Sequence, residues 1–394
     1  MAQFGDLQNE IYLRGLTGVR PDLPITADGL EAAARRTLPE QAFHYVSGGA
    51  SSERTIAANR EAFTRWRLVP RMLRGIGERQ LSTTVLGTPM AAPVLTAPIG
   101  ALGLVHPDAD LALARATAAL GLTCVLSTLS SATLEDVAAA APLASRWFQL
   151  YWPRDPQLAR SLVRRAEAAG YRAIVVTVDT WVLGWRPRDL ALGHLPFLHG
   201  EGIANYLSDP VFRSLLEGEK SPEQPAQVSQ PAAAACVRLF GNPALRWMDL
   251  PALRQWTSLP ILIKGICHPD DATAALEHGA DGVVVSNHGG RQVDGARAAL
   301  DCLPDVVAAV GGRVPVLFDS GIRCGADVLI ALALGARAVL VGRPWVYGLA
   351  LAGQRGVEHA LRVLLADLDL TMALAGYATP VDLGAHSVVR EVLG

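Results

Sequence analysis

The chain has 394 residues, of which 50% are apolar and 18% are charged. This composition supports a sizeable buried core and excludes a wholly disordered chain. With 35 basic and 37 acidic residues the net charge is −2, so electrostatics gives no support to nucleic-acid binding. No apolar run reaches the roughly 18 residues of a membrane span, and the polar start MAQFGDLQNE lacks a signal core. We therefore expect a cytoplasmic globular protein with no nucleic-acid or membrane partner.

Lysine and cysteine are both used sparingly. Lys220 and Lys264 are the only lysines among the 35 basic residues. Each is therefore a position at which a compact ammonium group, rather than a guanidinium group, could be required. The five cysteines are scattered and form no CxxC pair. They therefore predict neither a disulfide framework nor a zinc site, and no metal site is expected elsewhere.

Residues 1–90 predict a helical lead-in, in which residues 25–46 form one helix broken at Pro39. Eight short runs rich in Val, Ile and Leu follow, most of them succeeded by an alanine-rich helical pattern. They occupy residues 93–100, 122–128, 146–151, 173–180, 260–265, 282–290, 314–321 and 338–344. Continuous apolar runs of this kind are typical of parallel strands buried on both faces.

The spacing of these runs predicts the fold. Successive strand ends are 22 to 33 residues apart, except for one gap of 85 residues. Such even βα units predict a (β/α)8 barrel, with a doubly wound parallel sheet as the alternative. We expect one domain over residues 1–394, with the barrel in 91–185 and 256–375 and a lid insertion in 185–255 after strand 4. The insertion contains the low-complexity sequence SPEQPAQVSQPAAAA, for which we expect mobility.

Polar side chains cluster at the predicted strand ends, where barrel enzymes hold their active sites. Solvation alone would explain one such strand, but it explains eight converging strands poorly. The residues are Ser127, Gln149, Tyr151, Thr177, Asp179, Lys264, Ser286, Asn287, His288, Arg291, Asp319, Arg323 and Arg343. Among them, DSGIRCG and VGRP place glycines and an arginine after the last two strands, which predicts a phosphate site.

The segment SNHGGRQ, residues 286–292, is the most informative one. His288 follows an apolar strand directly, and Asp179 on a nearby strand could hold its imidazole. Arg291, together with Arg186 from WRPRD, could bind a carboxylate with two parallel hydrogen bonds. These residues predict acid–base chemistry on a small carboxylic acid.

These motifs, with ILIKG, FQLY and TVDT, resemble the FMN-dependent α-hydroxy acid oxidase and dehydrogenase family over nearly the whole chain except about 215–245. GDLQNEIY, FHYVSGG, TAPIG, TVDTWVLGWRPRD and NYLSDPVF resemble its lactate 2-monooxygenase branch in particular. The resemblance implies a (β/α)8 flavoprotein with FMN as cofactor, and a small L-2-hydroxy acid, most readily L-lactate, and O2 as substrates. It also implies a homotetramer or homo-octamer.

The resemblance implies catalytic roles for four residues. His288 would take the proton of the substrate hydroxyl, Asp179 would pair with His288, and Tyr151 would bond the reacting oxygen. Lys264 would face the flavin where reduction places negative charge, which suits a retained lysine. The substrate would be bound by Tyr45, Arg186, Arg291, Tyr151 and Gly100.

The resemblance also implies a set of contacts to the ring, ribityl chain and phosphate of FMN. These would come from Pro98, Ile99, Gly100, Ser127, Gln149, Thr177, Lys264, Ser286, Asp319, Gly321, Arg323, Gly342 and Arg343.

The fate of the reduced flavin leaves several functions open. Gly100 stands where oxidases of the family carry alanine and the monooxygenase branch carries glycine. A missing methyl would leave room beside the flavin for a retained keto acid, although a tight backbone turn also explains glycine. We expect coupled oxidative decarboxylation of lactate to acetate, CO2 and water. The alternatives are a simple oxidase that releases 2-oxo acid and H2O2, a quinone-linked dehydrogenase, and a non-enzymatic FMN or phosphate sensor.

Overall fold

The computed structural model describes residues 3–216 and 230–391. Four helices begin the chain: α1 (Asp6–Gly15), α2 (Ala27–Thr37), α3 (Glu40–Ser47) and α4 (Arg54–Thr64). Thr26 caps α2, its hydroxyl oxygen accepting the backbone N–H of Gly29. Leu38 is extended because it precedes Pro39, which ends α2 and starts α3. The predicted broken helix is confirmed.

The lead-in is not helical throughout, so the prediction for residues 66–90 is wrong. Three short strands lie here: β1 (Trp66–Leu68), β2 (Thr83–Val85) and β3 (Thr88–Met90). Strands β2 and β3 form an antiparallel hairpin whose side chains Val85 and Met90 pack with those of the barrel interior. Three-residue strands are too short to show an alternating pattern, which is why the sequence does not predict them.

Eight parallel strands form a closed barrel, one in each predicted run. They are β4 (Val94–Thr96), β5 (Thr123–Ser127), β6 (Arg146–Leu150), β7 (Ile174–Thr177), β8 (Ile261–Ile266), β9 (Gly282–Val285), β10 (Val316–Phe318) and β11 (Ala338–Val341). Strand β11 pairs with β4 and β9 pairs with β10, which closes the sheet. The (β/α)8 barrel is confirmed, and the doubly wound sheet is excluded.

Helices surround the barrel, and further short helices lie within the insertion. In chain order they are α5 (Ala109–Ala119), α6 (Leu134–Ala140), α7 (Pro156–Ala168), α8 (Pro187–Ala191), α9 (Ala204–Leu207), α10 (Pro210–Leu216), α11 (Gln230–Leu239), α12 (Leu250–Arg254), α13 (Pro269–Glu277), α14 (Ala299–Val310), α15 (Gly325–Ala333) and α16 (Arg343–Leu374). Non-helical backbone at Ala352 and Gly353 divides α16 in two. In the described residues, no helix has the length and apolar character that crossing a membrane would need.

The described part of the insertion is fastened to the barrel. The buried amide of Asn205 donates to the carbonyl of Thr128 at 3.1 Å and to the hydroxyl of Ser130 at 2.8 Å, and it accepts the backbone N–H of Leu134 at 2.8 Å. Residues 217–229, which include most of the low-complexity sequence, lie outside the described residues. The sequence QPAAAA that follows is the start of α11.

The end of the lead-in pairs with the last described strand of the chain. Strand β12 (Val388–Arg390) pairs antiparallel with β1, with Leu68 opposite Val388. More than 300 residues separate these strands in the chain, so no local sequence pattern predicts that they pair. The pairing ties the lead-in, which supplies one side of the site, to the end of the chain.

Candidate active site

A cavity opens at the C-terminal ends of the barrel strands and gathers most of the predicted site residues. Its lining includes Tyr45, Pro98, Ile99, Gly100, Ser127, Tyr151, Arg186, Lys264, His288, Arg291, Asp319, Gly321, Arg323, Gly342 and Arg343. Thr177, Asp179 and Ser286 line a second cavity that shares Tyr151 and Thr180 with the first. Gln149 is buried and lines neither.

His288 is held in a strained turn directly after β9. Its φ is +58°, and Gly289 and Gly290 continue the left-handed backbone with φ of +63° and +76°. A side chain at Gly290 would meet the backbone nitrogen of Ile56 at 2.7 Å, so only glycine fits there. The His288 N–H donates to the Ser286 hydroxyl at 3.0 Å, which holds the turn in place.

The imidazole of His288 is paired with a carboxylate on one side and free on the other. Nδ1 lies 2.8 Å from Oδ1 of Asp179, and Nε2 lies 3.5 Å from the hydroxyl of Tyr151. Thr180 donates a hydrogen bond from its hydroxyl to the same Asp179 oxygen at 3.0 Å. This arrangement fixes the tautomer with the proton on Nδ1 and leaves Nε2 as an acceptor.

The pKa shifts agree with a neutral histidine beside an ionised aspartate. Burial lowers the pKa of His288 and outweighs the opposing attraction of Asp179. Burial alone would raise the pKa of Asp179, but the charge that His288 gains when it is protonated, the charge of Lys264, and the hydrogen bonds from His288 and Thr180 outweigh it and hold this pKa below its usual value. His288 is therefore a base that is ready to accept a proton at neutral pH.

Lys264 is buried at the end of β8 and carries a compact positive charge. Its Nζ lies 3.0 Å from Oδ2 of Asp319 and donates to the Ser286 hydroxyl at 2.9 Å. Burial would lower the pKa of Lys264, but Asp319 and Asp179 outweigh it and raise this pKa. Ser286 thus links Lys264 to the backbone of His288. It is not part of the main cavity wall, where a direct cofactor contact was expected.

One end of the cavity, which we call the carboxylate end, consists of Tyr45, Arg186 and Arg291. Arg186 donates from Nε to the carbonyl of Arg291 at 3.2 Å, and Arg291 lies over the Tyr45 ring at 5.1 Å. In the described residues, the side-chain hydrogen bonds of both arginines go to neutral oxygens. Burial and the charge of Arg291 lower the pKa of Arg186 to about 10. The end therefore has excess positive charge and suits a carboxylate.

A neighbouring region of the cavity, which we call the phosphate end, consists of Arg323 and Arg343 after β10 and β11. Arg343 begins α16, so backbone N–H groups of that helix start face the same region. Burial, with Arg291 and Arg323 adding to it, lowers the pKa of Arg343 to about 9, and burial lowers that of Arg323 as well. Uncompensated arginines at a helix start fit a phosphate group.

The C-terminal end of α3 positions an arginine at each end of the cavity. Arg343 donates to the carbonyls of Val46 and Gly48, both at 3.0 Å. Arg291 donates to the carbonyls of Tyr45 at 2.6 Å and Gly48 at 2.8 Å. Carbonyls at a helix C-terminus carry partial negative charge, so they orient the guanidinium groups without neutralising them.

Two buried polar atoms at the ends of β6 and β7 have unused hydrogen-bonding capacity. Nε2 of Gln149 and Oγ1 of Thr177 have no hydrogen-bond partner among the described residues. The Gln149 oxygen accepts from the Ser127 hydroxyl at 3.2 Å, so its amide nitrogen is the free end. Unpaired buried polar groups are rare without a ligand or water. With Lys264 and the phosphate end, these atoms fit the ring edges and the phosphate of FMN.

The interpretation of Gly100 as open space beside the flavin is wrong. A Cβ at position 100 would lie 2.7 Å from the carbonyl oxygen and 2.9 Å from the Cβ of Leu129. That carbonyl accepts the N–H of Ala101 at 2.9 Å, so it is fixed in place. Gly100 does not have a positive φ, so a left-handed turn does not explain it either. Glycine is needed here for close packing against Leu129.

Sequence reasoning missed the aromatic wall that covers the carboxylate end. Phe197 lies edge-on to Tyr45 with centroids 6.4 Å apart, and Phe240 lies edge-on to Tyr151 at 4.9 Å. The two phenylalanines are 6.2 Å apart and line the cavity. Both come from the insertion, where no motif singled them out.

Comparison with known proteins identifies the family. Residues 34–390 match the family described as FMN-dependent dehydrogenase. The chain is 45% identical to the FMN-dependent alpha-hydroxy acid dehydrogenase qulF of Penicillium citrinum, over 96% of this chain and 94% of that protein. It is 43% identical to an L-lactate oxidase of Lysinibacillus sphaericus, over 97% of each. The crystal structure of mandelate oxidase with (S)-4-hydroxymandelic acid matches with a TM-score of 0.82 and 40% identity, over 94% of this chain and 100% of that one. The chain therefore belongs to the FMN-dependent dehydrogenase family, with FMN as its cofactor.

Proposed function

We propose that this protein oxidises a small L-2-hydroxy acid, with L-lactate as the main substrate, and that it decarboxylates the resulting pyruvate before release. One observation carries the proposal. The cavity holds a neutral His288 with a free Nε2, backed by an ionised Asp179, opposite two arginines without acidic partners. A 2-hydroxy acid has a hydroxyl for the first group and a carboxylate for the second.

Different residues bind the carboxylate and the hydroxyl of the substrate. Arg186, Arg291 and the Tyr45 hydroxyl hold the carboxylate, so that the 2-hydroxyl lies toward His288. Nε2 of His288 takes the hydroxyl proton, and Asp179 stabilises the imidazolium that results. FMN, when bound, supplies the acceptor for the α-hydrogen and its electron pair.

The cofactor contacts follow from the charges and unpaired atoms of the cavity. Lys264 places positive charge where the reduced ring gains negative charge. The free atoms of Gln149 and Thr177 bond the polar edge of the ring, with the Pro98–Gly100 backbone beside it. Asp319 holds ribityl hydroxyls. The phosphate is bound by Arg323 and Arg343, with Gly321 and Gly342 allowing close approach of the backbone.

The carboxylate end supports retention of pyruvate. Pyruvate keeps the carboxylate of lactate, so its release must break contacts to two arginines under the aromatic wall of Phe197 and Phe240. FMN, when bound, would pass its electrons to O2 and so supply the H2O2 that decarboxylates the retained pyruvate to acetate, CO2 and water. The net reaction is lactate plus O2 to acetate, CO2 and water.

Product analysis in air tests this fate. Free H2O2 also decarboxylates free pyruvate, so the assay contains excess catalase. We expect one acetate per lactate consumed with catalase present, because the reaction takes place before release. The similarity to an L-lactate oxidase supports the alternative of a simple oxidase. Pyruvate without acetate under the same conditions would establish that alternative.

Anaerobic reduction tests the substrate class separately from the fate of pyruvate. The holoenzyme is mixed with L-lactate, glycolate, L-mandelate and D-lactate, and bleaching of the flavin is followed by stopped flow. The wall of Leu129, Phe197 and Phe240 is apolar and encloses a small space, so we expect L-lactate to reduce the flavin fastest. Faster reduction by mandelate would assign an aryl substrate instead.

The assembly also stays a prediction. The resemblance to the family implies a homotetramer or a homo-octamer. Light scattering on the purified holoenzyme would give the mass directly, and a monomeric mass would contradict the prediction.

A further inference from the structure

Gln292 is the last residue of the SNHGGRQ segment and has no role in the chemistry described above. Its side-chain amide makes four hydrogen bonds. The nitrogen donates to the carbonyls of Asp179 at 2.9 Å and Val182 at 2.8 Å. The oxygen accepts from the backbone N–H of Gly184 at 3.2 Å and from Nη2 of Arg186 at 3.0 Å. All its usual capacity is used on one short segment, residues 179–186.

That segment leads from the catalytic carboxylate to the substrate arginine. Asp179 stands at its beginning and Arg186 at its end, and residues 181–185 between them are half-buried or exposed, whereas Thr180 is buried. A side chain at Gly184 would meet the carbonyl oxygens of Arg291 and Gln292 at 2.6 and 2.8 Å. The segment therefore lies directly on the backbone that carries Gln292, and the amide is its main side-chain attachment.

The bond to Arg186 matters because of its charge. Arg186 is 9% exposed, and its two hydrogen bonds in the described residues go to a carbonyl and to this amide. An amide oxygen fixes the direction of the guanidinium but carries no net charge. A carboxylate at the same place would form an ion pair and compete with the substrate for Arg186.

We propose that Gln292 is a positioning residue, which aims Arg186 at the substrate carboxylate while leaving the arginine's charge unpaired. The inference rests on the proposed role of Arg186 in carboxylate binding. It predicts that the neutral charge of residue 292 and its hydrogen bonds contribute separately to carboxylate binding. A substitution that removes only the hydrogen bonds should therefore weaken binding less than one that adds a negative charge.

The test measures binding of propionate, a carboxylate without the 2-hydroxyl, through the change in flavin absorbance of the holoenzyme. Gln292→Met keeps the size and neutrality of the side chain and removes its bonds, and we expect the Kd to rise about 5- to 10-fold. Gln292→Glu adds the competing charge, and we expect a rise of about 100-fold. Gln255→Glu adds the same charge at an exposed site and should leave the Kd unchanged. In lactate kinetics, KM should rise more than kcat falls, since His288 and Asp179 keep their own contact.

The outcomes separate this inference from the proposed function. If Arg186→Gln leaves propionate binding unchanged, the carboxylate role of Arg186 is wrong, and the inference is overturned with it. If Arg186→Gln weakens binding but Gln292→Glu does not, the inference alone is overturned. Equal effects of Gln292→Met and Gln292→Glu would show a purely structural contact and would also overturn it. Flavin content and Tm identify any variant that fails to fold. If Gln292→Met fails, Gln292→Asn, a shorter neutral amide, replaces it, and we expect its Kd to rise by at most about 10-fold.

Discussion

The phosphate end and the carboxylate end both consist of arginines that we propose to bind an anion, but the chain builds them differently. Arg323 and Arg343 follow barrel strands directly, at the ends of β10 and β11. Arg186 comes from the insertion, Arg291 from the turn after β9, and Tyr45 from the lead-in. Both residues of the cofactor end therefore come from loops that follow barrel strands, and the C-terminal end of α3 orients Arg343. The substrate end exists only when three separate parts of the chain dock together, which allows substrate choice to change while the cofactor site stays.

The two ends are nevertheless joined by one carbonyl. The oxygen of Gly48 accepts from Arg291 at 2.8 Å and from Arg343 at 3.0 Å. A side chain at Gly48 would meet the carbonyl oxygen of His44 at 2.6 Å, so glycine keeps this junction tight. Variants at either end therefore show whether the ends act independently or through α3.

The largest expected effect separates catalysis from cofactor binding. His288→Ala removes the base, and we expect anaerobic flavin reduction by lactate to slow by about two to four orders of magnitude. The phosphate end is untouched, so FMN should stay bound at about one per chain. Stopped flow and flavin absorbance measure the two properties. His268→Ala, at an exposed position that caps α13, is the matched control and should reduce normally. A His288→Ala enzyme with a normal reduction rate would exclude this base.

Breaking the phosphate end should have the opposite pattern. Arg343→Met removes a buried charge and its bonds to Val46, Gly48 and Gly289, and we expect FMN to bind about 10- to 100-fold more weakly. Ultrafiltration of the yellow protein at several concentrations gives the Kd. Arg337→Met, an exposed position, serves as the control. Undiminished FMN affinity in Arg343→Met would place the phosphate elsewhere.

Lys264 lies between the ends and should change the flavin rather than its binding. Lys264→Met removes positive charge from the ring region, so we expect the two-electron potential to fall by about 30–60 mV. Lys264→Arg should not restore it, because a larger guanidinium does not fit a side chain that is 3% exposed beside Asp319 and Ser286. Spectroscopic titration against a reference dye measures the potential. A potential equal to that of the parent enzyme would refute the role of Lys264.

The pH profile sharpens the description of the substrate end. His288 acts in its neutral form and burial lowers its pKa, so kcat/KM should hold as the pH falls and decline only below about 6.5. Asp179→Asn removes the attraction that raises this pKa, so its acid limb should move to still lower pH, on a lower plateau. A limb above pH 6.5 in the parent enzyme would contradict a neutral, buried base.

The smallest expected effect concerns Gly100. Gly100→Ala pushes a methyl to within 2.7 Å of the Leu129 carbonyl oxygen, so the backbone after β5 must move away. We expect lactate oxidation to change only a few-fold, since Gly100 takes no part in proton transfer. The share of pyruvate released as such should nevertheless rise, because Leu129 is part of the cavity wall. An unchanged ratio of acetate to pyruvate, measured with catalase present, would remove Gly100 from the account of product fate.

The sequence predicted the features that depend on neighbouring residues in the chain and missed those that form when distant segments pack together. Each barrel strand has its own apolar run, and the arginines of the phosphate end follow two of those runs, so both could be found by reading along the chain. Phe197 and Phe240 become a wall only because the insertion folds back on Tyr45 and Tyr151. No spacing rule connects such positions.

The error at Gly100 has the same origin. Gly100 was interpreted from the residues that branches of the family carry at this place, whereas its packing partner is Leu129 in the next βα unit. The assignment of Ser286 to the cofactor stays a prediction, and the structure adds that its hydroxyl bonds Lys264 and accepts the backbone N–H of His288. A strand end indicates that a residue lies near the site, not which way its side chain points.

The buried Lys264 has a consequence for chemical labelling. Besides the N-terminal amine, the whole chain offers only Lys220 and Lys264 to amine-directed reagents. Lys264 is held by Asp319 and Ser286 inside the cavity, so its acylation requires the pocket to open. The rate of Lys264 acylation, followed by mass spectrometry of the intact protein, therefore reports how often the active site opens. A ligand that keeps the pocket closed should lower the acylation rate of Lys264 and leave the acylation rates of the other amines unchanged.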